Sequence, residues 1–205
     1  GRPCSDPVGR YPLRAPRFVG IVSSSQESSS ERGFMRVLGI DPGLTRCGVA
    51  VIDGLPGRPV TAHFVGVITT ASDSELAGRL AVLHDELVVL IDKYSPDAIA
   101  IERVFSQQNV RSAMSTAQAA GIGLLLAGQR GIRVGMHTPT EVKAAVTGNG
   151  RAEKNQVALM VTKIAQLKAV PKPADAADAL AIAITHAWRG SVAAKYEAAR
   201  KAMSK

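Results

Sequence analysis

The chain has 205 residues, of which 46% are hydrophobic and 20% charged, and its formal net charge is +8. This length and composition allow one sizeable core, and no apolar run reaches the length of a membrane span, so a soluble protein is expected. Two cysteines, Cys4 and Cys47, are too few for a disulfide framework or a cysteine-based metal cluster, which indicates a reducing compartment.

The positive charge is concentrated in one part of the chain. Residues 103–172 hold ten Lys and Arg side chains against only Glu141 and Glu153, a net charge of +8. A basic zone of this size favours a polyanionic partner, although a solvated surface without a partner has the same composition.

The N-terminal segment 1–34 is rich in Pro, Arg and Ser and has no sustained hydrophobic period. It is predicted to be disordered, and its longest apolar run is too short for a secretory signal. We expect the native start at Met35, with 1–34 an upstream extension or a cloning remnant. The predicted domain then spans 35–189, followed by a basic C-terminal tail at 190–205.

The first predicted strand is the apolar run that begins at Val37 and ends on a carboxylate, Asp41. Pro42 and Gly43 favour a tight turn, and residues 47–52 are typical of a strand that returns beside the first. Asp41 is therefore predicted at the end of a central strand, where an unpaired carboxylate is costly to bury. A turn-capping Asp and a catalytic Asp are both consistent with this stretch alone.

The next segments extend the sheet and cover it. Residues 61–70 predict a third strand in an antiparallel meander. A helix is predicted from Ser72 or Ser74 to Tyr94, with a surface histidine, His84, and one buried leucine face. That predicted face comprises Leu76, Leu80, Leu83, Leu87 and Leu90.

A second strand also ends on a carboxylate. Residues 98–102 form a short apolar run that closes with Glu102, and two strands ending in acids make a shared site plausible. The following segment, 109–130, is predicted to be a helix rich in Ala, Gly and Ser, which permits close packing against another helix. Residues 132–136 predict a fifth strand.

The C-terminal third adds three helices. Thr138, Pro139 and Glu141 predict a capped helix start, and the loop 148–150 beside Arg151 and Lys154 is a plausible phosphate contact. Helices are then predicted at 153–167 and 174–188. The last one carries Asp175 and Asp178 on one face of its first turn, whereas His186 lies too far along it to share their site.

Four carboxylates thus lie at predicted element ends, namely Asp41, Glu102, Asp175 and Asp178. Packed together they would raise one another's pKa and destabilise the fold unless cations bind. Hard oxygen ligands select Mg²⁺, or Mn²⁺ in its place, and two such ions can support an in-line phosphoryl displacement. Lys154 could offset charge on the phosphate or orient the water.

Four motifs in this order resemble the RuvC family of Holliday junction resolvases. They are IDPGLTRCG at 40–48, AIERVF at 100–105, EVKAAVTGNGRAEK at 141–154 and DAADALAIAITH at 175–186. The resemblance implies an α/β, RNase H-like fold with a five-stranded mixed sheet flanked by helices. It also implies a cytoplasmic, nucleoid-associated bacterial homodimer that nicks two opposed strands of a four-way junction with Mg²⁺, alongside the branch-migration proteins RuvA and RuvB.

The resemblance also implies roles for single residues. Asp41, Glu102, Asp175 and Asp178 match the family's metal-binding carboxylates, and Phe105 matches an aromatic side chain that stacks on an unpaired base. Lys143 and Lys154 match basic residues near the cut phosphate. Arg111 and Arg151, in the same basic zone, are further candidate DNA contacts.

Three alternatives stay open from the sequence. Asp41, Gly43 and Thr45 resemble the phosphate loop of actin-like sugar kinases, but those proteins need two related domains. A non-catalytic junction-binding protein would lack a metal carboxylate, and none is missing here. An RNase H-type nuclease would prefer an RNA–DNA hybrid and read the 2′-OH.

Overall fold

The computed structural model describes residues 33–103 and 110–203, with side chains at 33–103 and 113–189. The segment 1–32 and the predicted stacking residue Phe105 therefore lie outside the described residues, as does the side chain of Arg111. Ten elements are described, in the order β1 (Met35–Asp41), β2 (Arg46–Gly54), β3 (Thr61–Thr69), α1 (Leu76–Tyr94), β4 (Ala98–Glu102), α2 (Val110–Arg130), β5 (Arg133–His137), α3 (Pro139–Thr147), α4 (Lys154–Ile164) and α5 (Ala174–Met203).

The strands form one mixed sheet in the order β3-β2-β1-β4-β5. Strands β1, β2 and β3 are antiparallel neighbours, whereas β4 runs parallel to both β1 and β5. The predicted mixed sheet and antiparallel meander are confirmed. Asp41 ends the central strand, as predicted, so its carboxylate lies at the middle of one edge of the sheet.

Both faces of the sheet are covered by helices because β1 is apolar on both sides. Leu38 and Ile40 pack in a core with α1 and α2, while Val37 packs in a second core with α3, α4 and α5. The centre of α5 is almost entirely apolar, and Leu180 and Ile182 are fully buried. A helix this apolar is stable only against the sheet, which brings its first turn to the sheet edge where β1 ends.

Two glycines set how closely α5 approaches the sheet. A Cβ added at Gly39 in β1 would lie 2.4 Å from the carbonyl oxygen of Ala179, and one added at Gly48 in β2 would lie 2.0 Å from that of Asp175. Both distances are far below van der Waals contact. Because these strand positions carry no side chain, the backbone of α5 can rest directly on the sheet.

Several predicted boundaries are corrected by the structure. Helix α1 begins at Leu76, and Leu76 is 42% exposed, so it does not belong to the buried leucine face. Helix α4 ends at Ile164, short of the predicted residue 167. Helix α5 continues to Met203 rather than ending at Trp188.

The start of α3 agrees with its prediction. Thr138 is the N-cap, Pro139 occupies the first turn, and Glu141 completes a capping box. The Glu141 amide donates to the Thr138 hydroxyl, and a Glu141 carboxylate oxygen accepts the Thr138 amide at 2.7 Å. This reciprocal cap fixes the entry of α3 directly after β5.

None of the helices in the described ranges combines the length and apolarity needed to cross a bilayer.

Candidate active site

Two of the predicted acids come from neighbouring parallel strands. Ile40 of β1 pairs with Ile101 of β4, so the next residue of each strand is Asp41 or Glu102. Parallel strands end at the same edge of a sheet, which places these two carboxylates side by side. Both are partly buried, because the apolar sheet lies directly behind them.

The other two acids lie at the start of α5, Asp175 in its first turn and Asp178 directly after that turn. Asp175 and Asp178 are three residues apart, so they share one face of the helix. The Asp175 backbone rests on Gly48, the residue that pairs with Asp41 in the sheet. The close packing of α5 at Gly48 therefore delivers both helix acids to the strand-end acids.

The electrostatics show that the four acids form one cluster. Burial, followed by the charges of Glu102, Asp178 and Asp175, raises the pKa of Asp41 to about 7. Burial and the charge of Asp178 likewise raise the pKa of Glu102. We call these four side chains the acid cluster.

Two cations flank the acid cluster on its α5 side. Nε of Arg46 lies 3.1 Å from Oδ2 of Asp175, and Nζ of Lys154 lies 3.3 Å from Oδ2 of Asp178. The carboxylate of Asp178, followed by those of Asp41 and Asp175, raises the pKa of Lys154. Each helix acid is thus paired with a basic side chain from a different element.

The acid cluster fits a hard divalent cation by its chemistry. Carboxylate oxygens are the donors that Mg²⁺ and Mn²⁺ prefer, and mutual repulsion within the cluster would be relieved by bound positive charge. Within the described residues, no three His, Cys, Asp or Glu side chains stand as a ready metal-ligand group. In the described structure Asp175 and Asp178 are instead paired with Arg46 and Lys154.

The predicted basic residues differ in their relation to the acid cluster. Lys143 on α3 lies close enough to act on Glu102, since its charge opposes the rise in the pKa of that carboxyl. Arg151 is exposed in the loop before α4, where its amide donates to Oδ1 of Asn149 at 2.9 Å. The structure thus brings Lys143 and Lys154 to the acid cluster, while the hydrogen bond of the Arg151 amide lies within its own loop.

His186 takes no part in the acid cluster, in agreement with its predicted position. Its Nδ1 lies 3.1 Å from Nε2 of His137, and the pair bridges α5 to the end of β5. Gly135 provides the space, since a Cβ there would lie 2.1 Å from the His186 ring. Burial lowers the pKa of His186 to about 4, so this imidazole is neutral at pH 7.

Sequence reasoning missed Arg46, Gly39 and Gly48. The two glycines leave a signal, because a glycine inside an apolar strand pattern indicates close backbone approach. Arg46 leaves none, since its partner Asp175 is distant in sequence and only the fold brings them together.

Comparison with known proteins gives a consistent result. The family model described as "Crossover junction endodeoxyribonuclease RuvC" matches residues 37–186, a range that contains all four acids. A protein of that name from Streptomyces avermitilis is 59% identical over 155 residues, covering 76% of this chain and 88% of the relative. One from a Nocardioides species is 55% identical over 165 residues, covering 80% and 93%.

Solved structures agree with the sequence relatives. Thermus thermophilus RuvC matches with a TM-score of 0.70 at 34% identity, covering 78% of this chain and 97% of that one. The same protein in complex with a Holliday junction substrate matches with a TM-score of 0.73 at 34% identity, covering 78% and 96%. The yeast mitochondrial Holliday junction resolvase Ydc2, at 16% identity and a TM-score of 0.56, shares the fold. The predicted RNase H-like fold class is confirmed.

Proposed function

The chain belongs to the RuvC family of crossover junction endodeoxyribonucleases, and from this premise we propose that its acid cluster cuts four-way (Holliday) junctions with two divalent metal ions. The observation that carries the proposal is the convergence of Asp41, Glu102, Asp175 and Asp178 from three distant segments at one edge of the sheet. A cluster of repelling acids weakens the fold, so a catalytic role gives a reason for its presence.

Each part of the acid cluster has a separate task in this proposal. Asp41 and Glu102 are held by the rigid sheet, and Asp175 and Asp178 close the site from the helix. Two Mg²⁺ or Mn²⁺ ions bound by these carboxylates would activate a water and stabilise the charge on the leaving 3′-oxygen. The sheet covers one side of the partly buried strand-end acids, so a phosphate would approach them from the side that faces solvent.

The basic residues complete the proposed site. Lys154 lies next to Asp178 and can turn its ammonium group to a phosphate oxygen, and Lys143 adds positive charge beside Glu102. Arg151, Arg111 and Phe105 stay predicted DNA contacts. Phosphate contacts carry no sequence information, so the choice of a junction over linear DNA must come mainly from shape.

The Lys154→Ala variant tests the proposed role of this lysine. We expect the single-turnover cleavage rate at saturating enzyme to fall about 10- to 100-fold, because one charge that stabilises the transition state is lost. Lys163→Ala is the matched control, since Lys163 is an exposed lysine on the same helix. Equal rates for both variants would remove Lys154 from the mechanism.

We also propose that the protein acts as a two-fold dimer through α2, because paired nicks on opposed strands require two active sites. Among the α2 side chains that the structure describes, three large apolar ones are exposed, namely Met114 at 59%, Leu125 at 51% and Leu124 at 38%. Gly121 and Gly128 on the same helix face open space. An apolar surface lined with small residues suits a second copy of the same helix. Interaction with RuvA and RuvB stays an expectation from the family.

The substrate class is tested by comparing cleavage of three nucleic-acid structures. The protein is incubated with Mg²⁺ and a synthetic four-way junction, a linear duplex or an RNA–DNA hybrid of matched sequence. We expect nicks at symmetric positions on two opposed strands of the junction and neither nick on the controls. Preferred cleavage of the hybrid would favour the RNase H-type alternative, and tight junction binding without nicks would favour the non-catalytic one. The same DNA substrate leads us to expect the protein at the bacterial nucleoid in the cytoplasm.

A further inference from the structure

Arg46 is an exposed cation at the edge of the acid cluster that the proposed mechanism does not use. It is the first residue of β2, five positions after Asp41, and its side chain is 61% exposed. Its Nε lies 3.1 Å from the carboxylate of Asp175. Arg46 thus borders the acid cluster beside Asp175, while Lys154 borders it beside Asp178.

The loop that presents Arg46 is held firmly at its base. The Thr70 hydroxyl donates to the carbonyl oxygen of Leu44 at 2.5 Å, and the Thr70 amide donates to the carbonyl oxygen of Thr45 at 3.1 Å. Arg79 of α1 donates to the hydroxyls of both Thr70 and Thr45, at 2.9 and 2.7 Å. The backbone at Arg46 is therefore held in place, and only the Arg46 side chain needs to move in order to change partner.

The ion pair between Arg46 and Asp175 is easily exchanged. Ion pairs at exposed sites stabilise proteins by only about 0–1 kcal/mol. A divalent cation that takes the Asp175 carboxylate leaves the guanidinium next to a site that receives a phosphodiester. A guanidinium has five N–H donors in a planar fork that matches two phosphate oxygens, and each DNA strand carries one phosphate per nucleotide.

From this geometry we infer that Arg46 binds a backbone phosphate next to the one that is cut, and that it exchanges Asp175 for this phosphate when metal and DNA bind. The inference rests on the proposed function of the acid cluster. It gives the two cations beside the helix acids different partners, with Lys154 directed to the cut phosphate and Arg46 to its neighbour on the same strand.

The test compares four-way junction affinity in Ca²⁺, a hard divalent cation that carboxylates bind, for wild type, Arg46→Ala, Arg46→Lys and Arg58→Ala. Arg58 is an exposed arginine in the turn between β2 and β3, at the opposite end of the sheet, so its variant removes equal charge from a distant place. We expect Arg46→Ala to weaken binding about 5- to 10-fold at low salt and to reduce the slope of log affinity against log salt by about one. Arg46→Lys should recover the slope, and Arg58→Ala should match wild type.

A second measurement uses Mn²⁺ titration without DNA. Removing a guanidinium that competes for Asp175 should tighten Mn²⁺ binding to Arg46→Ala several-fold relative to Arg58→Ala. The inference is overturned if Arg46→Ala has the junction affinity and salt slope of Arg58→Ala, or if its Mn²⁺ affinity is unchanged. Failure of wild type to cut junctions in Mg²⁺ would instead overturn the proposed function, and the two failures are therefore distinguishable.

Discussion

Replacing Asp41 with asparagine should lower the rate of junction cleavage by at least about 10³-fold, while junction affinity in EDTA stays within about threefold of wild type. Asp41 lies at the centre of the acid cluster, where three other carboxylates act on it. An amide is a neutral and weaker metal ligand, so several kcal/mol of transition-state stabilisation would be lost. The phosphate contacts that we propose lie on other residues, so binding and cutting should separate.

The stability of Asp41→Asn shows whether a loss of cleavage results from unfolding. The pKa of Asp41 is about 7 in the folded protein against an ordinary value of 3.8. The folded protein therefore holds more protons than the unfolded chain between these values, and the stability of the metal-free protein falls as pH rises from 4 to 7. We expect Asp41→Asn to remove part of this fall in the free energy of unfolding, on the order of 3 kcal/mol. Its thermal midpoint in EDTA at pH 8 should exceed that of wild type. An inactive variant that is also less stable would contradict this account of the acid cluster.

Replacing Gly48 with alanine should reduce cleavage by about 100-fold or more through a change in backbone position alone. The new methyl group would lie 2.0 Å from the carbonyl oxygen of Asp175 and 2.7 Å from its carbonyl carbon. Neither atom can move without shifting the start of α5, which carries Asp175 and Asp178. A displacement of about 1 Å in a metal site costs about 10²-fold in rate. The overpacking should also cost about 3 kcal/mol of stability.

The matched control for Gly48→Ala is Gly33→Ala, where an added methyl meets nothing within 4 Å. Cleavage is measured under single-turnover conditions at a temperature well below both thermal midpoints, so that only folded protein is compared. If Gly48→Ala cleaves junctions at the wild-type rate, the close approach of α5 does not position its acids.

The sequence allowed the strand-end acids to be predicted because the signal is local. An apolar run that stops at Asp41 or Glu102 marks both the strand and its end, and the capping box at Thr138 is equally local. The grouping of these acids with Asp175 and Asp178 was predicted from their shared position at element ends, and the charges of Asp178 and Asp175 act on Asp41 in the structure. Membership in one family then confirmed the fold.

The remaining features depend on contacts between distant segments. The pairing of Arg46 with Asp175 requires the fold to bring β2 and α5 together, and no periodic pattern in the sequence predicts this contact. The exposure of Leu76 depends on where α1 leaves the sheet, because a leucine at helical spacing is buried only where a neighbour covers it. Helix α5 extends past Trp188 because the sequence that follows is rich in alanine, which has the highest helix propensity.

The central claim is that the four carboxylates form one metal centre, and anomalous scattering from Mn²⁺ tests it most directly. Crystals of the wild-type protein grown with a four-way junction and soaked in Mn²⁺ would be compared with identically treated crystals of Asp41→Asn. We predict two Mn²⁺ peaks roughly 3.5–4 Å apart, bounded by Asp41, Glu102, Asp175 and Asp178, with at least one peak lost in the variant. Mn²⁺ bound elsewhere, or peaks unchanged by Asp41→Asn, would contradict the claim.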